Sequence, residues 1–130
     1  MRIFKTKWFM RYARQERIED ISLHEAIERA DRGLVDADLG AGLIKQRIPR
    51  RGQGRAGGYR SLIAYRSGER AVFLYGFAKN ERDNIENNEL ETLREMADGW
   101  LKATEAHLEQ AMKEGKLHEA IYDYDERQEA

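Results

Sequence analysis

The sequence predicts an α+β fold: a small antiparallel β-sheet with two N-terminal helices and one long C-terminal helix packed against it. Three observations predict it. β-rich runs follow one another between residues 43 and 77, joined by a loop of glycine and arginine and by a tight Ser67-Gly68 turn. Apolar residues recur at helical spacing over residues 7–15 and 23–30. The same spacing returns from Leu90 to Met112.

Residues 2–5 suit a short strand with Ile3 as its apolar member. From Lys7 to Gln15 a helix would place Trp8, Phe9, Tyr12 and Ala13 on one stripe. Ser22 and Glu25 have the spacing of a capping box, so a second helix is expected from there, with Gly33 ending it. Asp36, Asp38, Gly40 and Gly42 mark a strand start and a turn. In Leu43 to Ile48 the residues alternate: Ile44, Gln46 and Ile48 face one way, Lys45 and Arg47 the other, and Pro49 ends the run. Arg50 to Gly58 holds four glycines and three arginines and reads as a loop. Its letters match GxGxxG, but a β-rich run follows it where a dinucleotide site needs a helix. Tyr59 to Arg66 and Arg70 to Phe77 then form a hairpin. Asn88 and Glu91 suggest another capped helix start, and the helix that follows is expected to continue to about Lys113, with Gly115 ending it. The acidic tail from Glu119 is expected to fray. Trp8 and Trp100 are expected in the core where the outer helices meet the sheet. The 130 residues fit one domain, residues 1–130, with a helical extension from about residue 95.

Net charge is −1, but it is unevenly spread. Residues 44–80 hold nine basic side chains against one acid, Glu69, whereas residues 81–130 hold six basic against fifteen acidic. A basic block in a neutral chain fits an anionic partner. Lys45 and Arg47 sit two apart on one strand, about 6.6 Å along it. Arg60 and Arg66 lie on the next strand, and Arg50, Arg51 and Arg55 in the loop between. Guanidinium groups bind phosphate bidentately, and Tyr59, Tyr65, Tyr75 and Phe77 among them suit stacking on unpaired bases, which points to single-stranded RNA. The alternative is a solvated arginine face over an aromatic core. His24, His107 and His118 show no metal-ligand spacing, so no metal or cofactor is expected. The chain has no cysteine, no apolar run long enough for a membrane and no signal-peptide pattern, which leads us to expect a cytoplasmic protein.

Gly58-Tyr59-Arg60, an apolar run, a turn, a second apolar strand and then Ala78-Lys79-Asn80-Glu81-Arg82 before a helix resemble toxins of the RelE/ParE superfamily, in its RelE/HigB-like branch. Leu43-Ile44-Lys45-Gln46-Arg47-Ile48 is similar to the basic strand that precedes this arrangement there, and the motifs carry the resemblance over about residues 1–95. The resemblance implies a RelE-like fold and the toxin of a type II toxin–antitoxin system. It implies metal-independent cleavage of mRNA, often on the ribosome, leaving a 2′,3′-cyclic phosphate and inhibiting translation. Carried over by position, Lys45, Arg47, Arg60 and Lys79 are the catalytic candidates, with Lys45 as general base and Arg60 on the scissile phosphate. Arg50, Arg51, Arg55, Tyr59, Arg66, Tyr75 and Arg82 are the RNA-binding candidates. Crowded cations can stabilise the extra charge of a pentacoordinate phosphorane. Two positions depart from that branch: Asn80 stands in place of an arginine and Glu86 in place of a tyrosine. A ParE-like gyrase inhibitor and a non-catalytic RNA-binding protein are the alternatives. The implied partners are mRNA and a cognate antitoxin, expected to be a helix-turn-helix protein.

Overall fold

Thr6 is both the last residue of a strand and the cap of a helix. Its backbone is extended and its hydroxyl accepts a hydrogen bond from the Phe9 N–H, so β1 (Arg2–Thr6) runs directly into α1 (Lys7–Glu16). The computed structural model describes residues 1–50, 58–82 and 84–121. After α1 come α2 (Asp20–Asp31), β2 (Ala37–Asp38), β3 (Leu43–Ile48), β4 (Tyr59–Arg66), β5 (Arg70–Ala78), α3 (Asn87–Lys102), α4 (Glu105–Lys113) and β6 (Leu117–Glu119).

The strands make one sheet in the order β2-β3-β4-β5-β1-β6. β3, β4 and β5 are antiparallel neighbours, as their sequence predicts. β1 lies parallel to β5, and β6 pairs antiparallel with β1, so the sheet is mixed and wider than the hairpin runs alone suggest. Helices cover both faces. Phe9, Leu23 and Ile27 of α1 and α2 pack on Ile44, Ile48, Ile63 and Phe73. On the other face Leu93, Ala97, Leu101 and Leu108 of α3 and α4 pack on Phe4, Leu43, Leu62 and Leu74. The predicted α+β class and the strand alternation therefore hold.

The helix starts differ from the sequence expectation. α2 begins at Asp20, with Glu19 extended before it, and Ser22 lies buried in its first turn. The tie is tertiary: the Asp20 carboxylate accepts from Lys5 Nζ at 2.7 Å and from the Ile121 N–H at 3.1 Å. α3 is started by Glu86 and Glu89, which form a reciprocal capping box in place of the Asn88–Glu91 pair. Gly33 ends α2 as expected, with φ +86 and the Gly33 N–H on the Ala30 carbonyl.

The single long C-terminal helix is two helices. Ala103 is extended, and the Thr104 hydroxyl caps α4 by accepting from the His107 N–H. Arg70, at the start of β5, explains the break. Its Nη1 donates to the carbonyls of Trp100 and Ala103, both at 2.8 Å, so a cation satisfies the open C-terminal end of α3 and its dipole. The expected frayed tail is also partly ordered. Leu117–Glu119 forms β6, and Glu119 takes a bidentate pair from Arg2 at 2.9 and 3.1 Å. Residues 122–130 lie outside the described residues.

Two predictions follow from these ties. Arg70→Gln should destabilise the fold by about 2 kcal/mol, the scale of a charged hydrogen-bond donor lost from a buried acceptor. The check is a lowered urea midpoint with an unchanged m-value. The Arg2 hydrogen bonds hold the Glu119 carboxyl below its ordinary range, against an opposing effect of burial. Its stabilisation is therefore complete above the unfolded carboxyl value of about 4.3 and is lost as pH falls through the depressed folded-state value. Glu119→Gln should flatten part of the loss of stability below about pH 4, read from urea midpoints across that range.

Candidate nucleic-acid interface

The side chain of Gln46 is fully buried in the middle of β3, facing α2. Its Oε1 accepts from the Asp36 N–H at 2.7 Å, and its Nε2 donates to the carbonyls of Ala26 at 2.9 Å and Leu34 at 3.3 Å. With the amide fixed on that side, the alternation of the strand turns Lys45 and Arg47 to the opposite face. The backbone of Arg47 is held as well: its N–H donates to Asp36 Oδ2 at 2.6 Å, and its carbonyl accepts from Arg29. The Arg47 side chain itself is exposed.

The sheet register sets the cations side by side. Arg47 is directly opposite Arg60 on β4, and Arg60 is directly opposite Phe77 on β5. One step along, Lys45, Leu62 and Tyr75 form the next row. Like charges directly opposite each other destabilise a sheet. Arg60 adds to this cost, since its Nη1 is buried without a hydrogen-bond partner among the described residues. Lys79 follows β5, its N–H continuing the ladder to the Gly58 carbonyl, and the alternation assigns it to the Phe77 side. Among the described residues no acid pairs with Lys45, Arg47, Arg60 or Lys79. α3 does not roof this end of the sheet. Its C-terminal Leu101 packs near Gly42, while Leu90, with Asn84 and Ile85, lies beside Lys45 and Phe77. Phe77, which ends the Arg47–Arg60 row, is buried at that helix start, whereas Arg47 at the other end is exposed.

Not every predicted site residue joins this face. Tyr59 is 2% exposed and packs with the N-terminal helices on the other side, so its ring is closed to a base; this corrects the expectation for it. Tyr65 is on that side too, its hydroxyl bonded to Asp31. Burial raises the pKa of both phenols above the ordinary tyrosine value. Arg50 stacks over the Tyr59 ring and lines a cleft of about 290 Å³ with Glu16, Arg17 and Glu19. Arg66 is six residues along β4 from Arg60, about 20 Å away, and pairs with Glu69. Arg82 is near the face but neutralised: it takes both oxygens of Glu89 at 2.7 and 3.1 Å and lies over the Phe77 ring. These hydrogen bonds from Arg82 hold the Glu89 carboxyl below its ordinary range. Arg51 and Arg55 lie outside the described residues.

Trp8 was expected in the core and is instead 44% exposed. It stacks on Tyr12 four residues along α1 and lies tilted against Tyr75, with ring centroids 5.2 and 4.5 Å apart. Helical periodicity alone could not separate this rim position from the buried Phe9. His118 lies on β6 and not on a helix; His24 contacts the Ala120 carbonyl at 2.8 Å. Among the described residues there is no cluster of three His, Cys, Asp or Glu fit for a metal, and no helix is long and apolar enough to cross a membrane.

A protein-family model described as "RelE toxin of RelE / RelB toxin-antitoxin system" matches residues 1–120. The match runs past residue 95, where the resemblance of the motifs ends, through α4 and β6. No curated protein matches the chain.

The register argument is testable at Gln46. Gln46→Leu keeps the volume but removes the side-chain acceptor of the Asp36 N–H and the bonds donated to the Ala26 and Leu34 carbonyls. It should cost about 2–5 kcal/mol, read as a lower melting temperature, whereas Lys45→Ala on the opposite face of the same strand should change stability by less than about 1 kcal/mol.

Proposed function

Because this chain belongs to the RelE family of toxins from RelE/RelB toxin–antitoxin systems, we propose that the cationic face of its sheet cleaves mRNA and so inhibits translation. The observation that carries the reading is the Arg47–Arg60 row, with a buried Arg60 N–H that lacks a partner among the described residues. A fold keeps such a repulsive, unsatisfied arrangement at a cost to stability. A phosphate placed between the two guanidinium groups would relieve both penalties through charge-assisted hydrogen bonds.

In the proposed reaction Lys45 takes the proton of the RNA 2′-hydroxyl. The 2′ oxygen bonds to the adjacent phosphorus while Arg60 and Arg47 stabilise the added charge on the phosphorane. The bond from phosphorus to the 5′ oxygen breaks, and Lys79 protonates that oxygen. The products are a 2′,3′-cyclic phosphate and a 5′-hydroxyl, and the step needs only proton transfer and fixed positive charge. A specific observation favours a second reading, RNA binding without cleavage. Asn80 is uncharged, and the Glu86 carboxylate is engaged in capping α3. A RelE/RelB system implies a cognate antitoxin; we take it to be a small helix-turn-helix protein that covers this face.

The test is cleavage of mRNA, free and on ribosomes, with analysis of the new 3′ ends. Lys45→Ala and Arg60→Ala should each slow cleavage by about 10²–10³-fold, and Arg66→Ala by less than about two-fold. Each of the first two should also reduce the salt slope of single-stranded RNA binding by about 0.7. Full cleavage by Arg60→Ala would overturn the proposal. Salt-dependent binding without a cyclic-phosphate product would establish the second reading.

A further inference from the structure

Three features of the structure converge on Tyr75, and the chemistry of phosphate cleavage uses none of them. The first is a β-bulge. Leu62 pairs with Tyr75 but Ile63 pairs with Phe73, so β5 carries Leu74 as an extra residue. The bulge puts two consecutive side chains, Leu74 and Tyr75, on the α3 face of the sheet. Bulges beside functional sites commonly re-aim a side chain. The second is a prop: Trp8, on the rim of α1, lies 4.5 Å from the Tyr75 ring centroid. The third is a tether: Arg82 Nη1, itself anchored on Glu89, reaches the Tyr75 hydroxyl at 3.5 Å.

The re-aimed ring forms a wall of a cavity of about 330 Å³, completed by Asn88, Glu89, Thr92 and Leu93 from the first turns of α3. Tyr75 lies one row from Arg60 on the same face, its ring centroid 6.3 Å from that of Phe77, the residue opposite Arg60. The cavity walls are one aromatic ring, an apolar side from Leu93 and Thr92, and a polar rim. That combination suits a flat heteroaromatic ligand. The two carboxylate oxygens of Glu89 are taken by Arg82, and Oε1 also accepts the Glu86 N–H. Asn88 Oδ1 accepts the Glu89 N–H, and its NH₂ group is a hydrogen-bond donor at the exposed rim.

We infer that this cavity is a nucleobase subsite: it takes the unstacked base next to the phosphate held by Arg47 and Arg60, with Tyr75 as stacking platform and Asn88 as edge reader. The inference rests on the proposed binding of RNA at the cationic face. Trp8 is a positioning residue that holds the Tyr75 ring. Guanine and uracil carry a carbonyl oxygen (O6, O4) where adenine and cytosine carry an amino group, so an NH₂ donor reading that position favours guanine and uracil.

The experiment uses single-stranded RNA hexamers made uncleavable by 2′-deoxy substitution at the expected scissile position, with the adjacent base either present or abasic. Binding is read by fluorescence anisotropy. Removing that base should weaken binding to the intact protein by about ten-fold, the scale of one base–aromatic stack. In Tyr75→Ala the abasic and complete hexamers should bind equally, while Tyr75→Phe keeps the difference. Asn88 is exposed, so Asn88→Ala is a second variant that tests the site without disturbing the core. It should reduce the preference for guanine or uracil to less than two-fold while leaving abasic binding unchanged. Salt-sensitive binding in which base removal has the same effect in Tyr75→Ala as in the parent would overturn the subsite and leave the cationic face standing. Hexamers that fail to bind even at low salt would overturn both.

Discussion

The buried amide of Gln46 is the constraint on which the rest of this molecule depends. Side chains alternate along a strand, so a slip of one residue in β3 would bury Lys45 and Arg47 and expose Ile44 and Ile48. Apolar contacts alone tolerate small errors of position. An amide that must meet one N–H and two carbonyls from α2 and the segment before β2 does not. The Gln46 carbonyl also accepts from the Ser61 hydroxyl, which carries the same alignment to β4. The orientation of the cationic face is thus set by a polar contact on the reverse of the sheet.

The basic block divides into two populations of charge. Arg70 closes the end of α3, Arg66 pairs locally with Glu69, and Arg82 is held by Glu89. These cations stabilise the fold or its surface. Lys45, Arg47, Arg60 and Lys79 have no such partner among the described residues, and the sheet places Arg47 against Arg60. Such an arrangement costs stability, as is common where a site must hold ligand charge. Among the described residues the paired carboxylates of the C-terminal half bind other cations, as with Arg2 and Glu119 or Lys102 and Asp98.

Much of this was legible in the sequence, and the parts that were not share a cause. β3, β4 and β5 are visible because alternation and turn residues are local signals. The pairing of Lys45 and Arg47 on one side of β3 follows from alternation alone. The direction of Tyr59 does not, since the phase of β4 relative to β3 depends on how the intervening loop closes. The break between α3 and α4 is hidden because the apolar spacing continues past Thr104; the residue that ends α3 is Arg70, about thirty positions away. Glu19 in place of Ser22 at the start of α2 reflects ties from Lys5 and Ile121 to Asp20. β6 has three residues, too few for a periodic signal. In each case a distant contact overrode a local preference.

The parallel pairing of β1 with β5 has a consequence for the order in which the chain assembles. Arg2 is in register with Arg70 and Phe4 with Glu119, so the strand made first meets partners made much later. The hairpin of β4 and β5 closes over a short turn and can form early. The first strand must meanwhile wait, with Phe4 unburied, until most of the polypeptide exists. Contacts so far apart in sequence slow folding. Insertion of this strand is therefore the step at which a chaperone, or a competing edge from another chain, has the longest time to act.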